Sequence, residues 1–237
     1  MSVNKPLFGI CFGHQLVAQG LGATHRGRPI GTEADMTMFS FHPVKSITTG
    51  EGGAIVTNNK KYYEHLLMFR THGMTRDRKR LKDRTKAAWH QEMHMLGNNY
   101  RMTDIQAALG VSQMKKIDTF LKKRREAAKH YFSLLKDLPV ELPSRAVLNT
   151  SAWHLFVVHV DPNIRDRVFK TLRSKGIWVQ VHYLPVYQHP YYRSLGYRAK
   201  QCPNVEKFSA SAISIPLFPN ITLREQQFVA NTLAKAL

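Results

Sequence analysis

Two stretches of this 237-residue chain carry side chains that could do covalent chemistry. Residues 9–16 read Gly-Ile-Cys-Phe-Gly-His-Gln-Leu. A cysteine between two glycines, after an apolar run and before a helix-like stretch, is the pattern of a nucleophile elbow, where a sharp turn presents the thiolate. The second stretch is Phe-Ser-Phe-His-Pro-Val-Lys-Ser-Ile-Thr-Thr-Gly-Glu-Gly-Gly at 39–53. Its Lys45 stands between an apolar lead-in and a glycine pair. A lysine held by rigid neighbours in a water-poor pocket loses pKa and can form a Schiff base with a carbonyl. Ser40, five residues earlier, could hydrogen-bond an anion. Each signal also has a plain structural reading: Lys45 as a solvated loop cation, Cys11 as a buried, inert thiol at a strand end.

The elements that must position Lys45 can be read around it. Residues 34–41 alternate in polarity and predict a strand; 52–59 predict a second, with glycines before it and a turn after it. Together they make a hairpin-like unit. Residues 60–73 carry apolar positions at helical spacing and stop at Gly73. Residues 74–92 are basic and irregular. Thr103 and Gln106 form a capping box that opens one long helix, running to Leu138 and ended by Pro139. Beyond it, a strand at 152–160, a helix at 164–176, a strand at 177–183 and a final helix at 223–236 predict a small α/β domain, with the boundary near 140.

Thirty-five Lys and Arg against sixteen Asp and Glu give a net charge of +19, a field that attracts polyanions. The densest basic runs, 76–84 and 122–125, read as an exposed loop and a solvated helix face, ahead of a phosphate- or nucleotide-binding role. No nucleic-acid-binding motif is present, so nucleic acid is not an expected partner. No apolar run approaches the ~20 residues of a membrane helix, and the start has no signal-peptide pattern. Two cysteines, Cys11 and Cys202, make no disulfide framework, which points to a reducing cytoplasm. No metal-ligand set is read.

The full string at 35–58 is more specific than its parts. It resembles the lysine segment of the pyridoxal-phosphate sugar aminotransferases, the DegT–StrS family. Three further segments follow in that family's order: "FRTHGM" at 69–74, "LGNNYRMTDIQAALGVSQMKKID" at 96–118, and "VQVHYLPVYQHPYY" at 179–192 with "AISIPLFP" at 212–219. The resemblance covers about residue 19 to the C-terminus and leans to the pseudaminic-acid branch. It implies an α/β fold, the C-terminal part of the PLP-transferase fold type I (aspartate aminotransferase-like). Residues 1–22 would be an atypical start, 23–139 a partial large domain with the linking helix, and 140–237 the small domain.

By position, the resemblance implies that Lys45 holds pyridoxal 5'-phosphate and shuttles the proton. Ser40 binds the cofactor phosphate, and Gln19 takes the family's Gln/His cofactor position. Asn99 of Gly-x-Asn-x-Arg reaches the phosphate in the neighbouring subunit of a homodimer. Arg101, His182 and Tyr183 lie near the substrate. The implied reaction moves an amino group from an amino acid, usually L-glutamate, to the 4-keto carbon of a UDP-linked deoxysugar. The helix-entry turn and the strand end are the structural readings of Asn99 with Arg101, and of His182 with Tyr183. Two departures bear on this. Family members carry a substantial segment before the matched region, where only residues 1–22 stand here, so an incomplete large-domain sheet with exposed edges is expected. The family's Glu-Asp pair, whose Asp keeps the pyridine nitrogen protonated, falls on Gln15 and Leu16.

"KPLFGICFGHQLVAQGLGA" at 5–23 in turn resembles the elbow of class I glutamine amidotransferases. Its base would have to be "HQE" at 90–92, whose neighbours fit the aminotransferase pattern instead; "FHPV" at 41–44 has Val44 where that family has an acid. The aminotransferase reading is therefore preferred. A non-catalytic module that binds anions or pairs with another subunit is the alternative, and an amidotransferase using Cys11 comes third.

Overall fold

A computed structural model describes residues 7–9 (backbone only), 22–85, 87–198 and 202–237. The chain divides into two compact units, Met1–Asp118 and Thr119–Leu237.

In the first unit, β1 (Leu7–Gly9), β2 (Thr24–His25), β3 (Arg28–Pro29), β4 (Thr37–Ser40) and β5 (Gly53–Val56) precede helix α1 (Lys60–Phe69). β4 and β5 are antiparallel, with Thr37 opposite Val56 and Ser40 opposite Gly53, so the hairpin-like unit is present. β1 lies on the other edge of β5, also antiparallel. Alternation sets which face is buried: Ala54 and Val56 point inward, and Phe39 packs from across the ladder.

Asn59 caps α1 by accepting the N–H groups of Lys61 and Tyr62. The helix stops at Phe69, short of the expected Gly73. The carbonyls that would continue it are taken: Phe69 O accepts from Asn98 N–H at 2.7 Å and Arg70 O from Tyr100 N–H at 2.9 Å. Residues 74–92 are not wholly irregular, because β6 (Met74–Thr75) pairs with β7 (Glu92–Met93) and closes the basic loop.

The single long helix expected from Thr103 to Leu138 is two: α2 (Asp104–Met114) and α3 (Ile117–Leu134). Between them Lys116 N–H bonds the Gln113 carbonyl at 3.0 Å, an i to i−3 step that tightens and ends the α2 ladder. The capping box at Thr103 and Gln106 is present.

The second unit has β8 (Phe156–His159), α4 (Arg165–Ser174), α5 (Pro190–Ser194), α6 (Pro203–Ser211), β9 (Ala212–Ile215) and α7 (Leu223–Ala236). β8 and β9 are antiparallel, with Phe156 opposite Ile215. Most of α3 belongs to this unit and packs in its core. Its Ala128, Tyr131, Phe132 and Leu135 join Phe156, Val158, Val168, Leu172, Ile213 and Leu233 in one buried cluster. The rings of Trp153 and Phe156 stack at 5.5 Å. Tyr131 donates to the Pro216 carbonyl at 2.8 Å, and burial, helped by Glu225, raises its pKa.

Two expectations fail here. Residues 177–183 form no strand: Val179 N–H turns back to the Ile177 carbonyl, leaving one bridge, Gln180 to Ser214. The run 122–125 is not wholly a solvated face either. Arg124 is 4% exposed, and its guanidinium donates to the carbonyls of Trp153 and Leu217. Helical spacing turned one of the four cations inward, where carbonyls replace water. No helix among the described residues is long and apolar enough to cross a membrane.

Candidate active site

Lys45 stands in a loop that joins β4 to β5 and closes on itself. Phe41 N–H donates to the Gly52 carbonyl at 2.9 Å, and Thr49 N–H donates to the Phe41 carbonyl at 3.0 Å. The Thr48 hydroxyl adds a bond to Phe41 O, and the Thr49 hydroxyl one to Glu51 O. Ile47, 2% exposed, anchors the loop in the core. Lys45 N–H reaches the His42 carbonyl at 2.9 Å, so His42–Pro43–Val44–Lys45 is a β-turn with proline at its favoured second place. The lysine is half-buried and held by backbone, as a reactive amine requires.

The glycine pair is there because nothing larger fits. A Cβ on Gly52, whose φ is +151°, would meet Thr49 Oγ1 at 2.5 Å and Met102 Cε at 2.6 Å; one on Gly53 would meet the Phe39 carbonyl at 2.7 Å. Ser40 ends β4, exposed, with its hydroxyl accepting the His42 N–H at 3.4 Å.

Asn99 and Arg101 are placed by the end of α1. Residues 98–100 run antiparallel to 69–72 through Asn98 N–H to Phe69 O, His72 N–H to Asn98 O and Tyr100 N–H to Arg70 O, with a bridge between Thr71 and Asn99. A Cβ on Gly97 would strike the Phe69 carbonyl at 2.7 Å, which explains the glycine of Gly-x-Asn-x-Arg. Both Asn99 and Arg101 are exposed. A cavity of about 600 Å³ separates these pieces, lined by Ser40, Gly53, Ile55, Phe69, Tyr100 and Arg101 among others. The structure thus brings Ser40 and Arg101 to one hollow; Lys45 and Asn99 are not among its lining residues. Arg101 also borders a more polar hollow of about 760 Å³ with Arg76 and Arg80.

His182 and Tyr183 belong to the second unit. His182 Nδ1 is 2.8 Å from the Ser214 hydroxyl, and its ring meets Tyr183 edge-on at 4.6 Å. Tyr183 is exposed. Gln19 lies outside the described residues, as do Cys11, Gln15 and Leu16.

The "HQE" stretch is a loop clamp. Glu92 accepts N–H bonds from Lys82 at 2.7 Å and Asp83 at 2.8 Å, and its oxygens lie 2.8 Å from His94 Nε2 and 3.3 Å from His90 Nε2. The backbone donors of Asp83 and Lys82, with the two imidazoles, hold its pKa down at about 2. A carboxylate so occupied closes the basic loop. No cluster of His, Cys, Asp and Glu fit for a metal occurs among the described residues.

One residue of this region escaped the sequence reading in part. Gln106, seen as a cap, also donates from Nε2 to the Glu51 carbonyl at 3.0 Å. Only the Thr-x-x-Gln spacing signalled it; the bond spans 55 positions.

A profile described as the DegT/DnrJ/EryC1/StrS aminotransferase family matches residues 15–234. The chain is 36% identical over 232 residues to the UDP-4-amino-4,6-dideoxy-N-acetyl-beta-L-altrosamine transaminase of Campylobacter jejuni (strain 81-176), covering 93% of this chain and 57% of that one. Its fold superposes on Helicobacter pylori PseC, an aminotransferase involved in the biosynthesis of pseudoaminic acid. The TM-score is 0.82 and the identity 35%, over 91% of this chain and 57% of the other. The PLP-form of Spr1654 from Streptococcus pneumoniae gives 0.80 at 27% identity, over 93% and 56%. The chain spans a little over half the length of the curated relatives it matches. The fold is the fold type I α/β architecture of these neighbours.

Proposed function

Because the chain belongs to the DegT/DnrJ/EryC1/StrS aminotransferase family, we propose that it takes part in transfer of an amino group to a UDP-linked 4-keto-6-deoxysugar with pyridoxal 5'-phosphate as cofactor. The names of the Campylobacter jejuni relative and of PseC support this substrate class. The observation that carries the reading is the Lys45 loop, closed by its own backbone bonds beside a cavity that holds Ser40 and Arg101.

The residues present suit that cofactor. The Ser40 hydroxyl on an apolar hollow of about 600 Å³ suits its phosphate and ring, and Lys45, a half-buried residue of the loop that joins β4 to β5, is the amine for its carbonyl. Pyridoxal phosphate supplies an electron sink for the carbon that gains or loses the amino group. Lys45 binds it through Nζ and moves a proton at the same atom. Ser40 Oγ orients the phosphate, and Arg101 lies toward the substrate. Asn99 is exposed, which agrees with a role in the neighbouring subunit of a homodimer. Gln19 completes the cofactor contacts, and His182 and Tyr183 contact the sugar. L-Glutamate is the amino donor and the cytoplasm the place of action. The +19 charge favours a substrate with two phosphates.

The test is to mix the chain with pyridoxal phosphate, reduce it with borohydride and map the added mass. The expected result is attachment at Lys45 alone, with no yellow colour in Lys45→Ala. A Lys45→Ala protein as yellow as the parent overturns the assignment.

A further inference from the structure

Gln106 joins two segments that the proposed chemistry needs. Its Oε1 accepts from the Thr103 N–H at 3.0 Å and the Thr103 hydroxyl at 3.1 Å, which is the capping half of its role. Its Nε2 donates to the Glu51 carbonyl at 3.0 Å. Glu51 stands just before the glycine pair that closes the Lys45 loop, and its carbonyl also accepts from the Thr49 hydroxyl. Thr103 follows the Asn99–Arg101 turn by two residues. A second contact runs alongside: at Gly52 the backbone approaches Met102 so closely that a Cβ would lie 2.6 Å from its Cε. A plain helix cap needs only the acceptor. The donor has no use in the cap, and one of its N–H groups goes to the loop.

We propose that Gln106 is a positioning residue, whose side-chain amide locks the base of the Lys45 loop to the α2 N-terminus and so to the Asn99–Arg101 turn. The proposal rests on the reading of Lys45 given above. It acts through the backbone of the loop, and its side chain also borders the hollow of Ser40 and Arg101. One amide side chain satisfies an N-cap and a loop carbonyl together, so a shift of either segment breaks a bond.

Gln106→Glu separates the two halves. A carboxylate keeps the acceptor that Thr103 uses and removes the N–H that reaches Glu51. Gln106→Met removes both. In the full chain, amide exchange at Phe41 and Thr49 is expected to quicken about fivefold in Gln106→Glu, the loss of one hydrogen bond, while its melting temperature falls by less than that of Gln106→Met, because the cap is kept. Gln106→Met is expected to quicken exchange and to melt earlier. With pyridoxal phosphate added, the pH midpoint of the cofactor's absorbance band is expected to move further in the neutral Gln106→Met than in Thr103→Ala, which removes the cap and leaves the Glu51 bond. A residue that only caps the helix leaves the loop amides unmoved in Gln106→Glu and gives one midpoint in Gln106→Met and Thr103→Ala, and this result overturns the proposal. A parent that takes up no pyridoxal phosphate defeats the functional reading alone, since the exchange comparison still decides the coupling.

Discussion

Glu92 shows what one carboxylate can do to a basic loop. Its folded pKa of about 2 lies below the ordinary 4.5. A depressed carboxylate stabilises the folded loop above its unfolded pKa, and that contribution drains away as pH falls from about 4.5 toward about 2. The amide proton shifts of Lys82 and Asp83 should therefore titrate with a midpoint near 2. In Glu92→Gln they should not titrate in that range; a midpoint near 4.5 in the parent would contradict the clamp. Arg124 is the second residue whose environment sets its role. Burial lowers its pKa, and two carbonyls hold it. Arg124→Ala leaves both carbonyls without their donor and should cost about 2–3 kcal/mol in urea unfolding. Sequence had both residues within reach and misjudged one: "KKRR" names four cations, but which of them faces the core depends on where α3 packs.

Among the elements, the β4–β5 hairpin and the α2 cap carry the site, and α3 carries the second core. Thr103→Ala should lower stability by about 1 kcal/mol, the usual worth of an N-cap side chain, read as an earlier thermal transition. Phe156, fully buried between the rings of Trp153, Phe132 and Tyr131, is the larger test. Phe156→Ala should cost about 3–5 kcal/mol, seen as a lowered urea midpoint with loss of near-ultraviolet signal from Trp153. These elements were legible for local reasons. Alternation along 34–41 and the capping box at Thr103 and Gln106 act within a few residues. The break at Lys115–Lys116 was not legible, because both lysines are good helix formers and no proline or glycine marks the spot. The lost strand at 177–183 fails for a related reason: its apolar pattern is satisfied by burying Ile177 and Val179 singly, without a ladder.

At the scale of the whole molecule, two tests follow from the charge and from the proposed subunit pairing. With a net charge of +19, capture of the proposed UDP-sugar, which carries two phosphates, should be salt-dependent. Its Kd should rise steadily between low and physiological salt; a flat response would remove charge from the account of recognition. If Asn99 serves the neighbouring subunit's site, Lys45→Ala and Asn99→Ala chains fail separately and complement when refolded together. Random pairing then restores about a quarter of the sites. No recovery on mixing would place Asn99 and Lys45 in one subunit's site.

Sequence by itself determined the family, the hairpin around Lys45 and the capping box of α2. The hairpin and the box are short-range requirements: alternation along a strand, and an N-cap hydroxyl three residues before its glutamine. Tertiary structure alone decided the rest. It sent Arg124 inward, ended α1 at Phe69 by giving its carbonyls to Asn98 and Tyr100, made Glu92 a clamp, and gave Gln106 a second bond 55 residues away. Hydrogen-bond partners that far apart in the chain leave no periodic trace in it, because what selects them is the distance between atoms after packing.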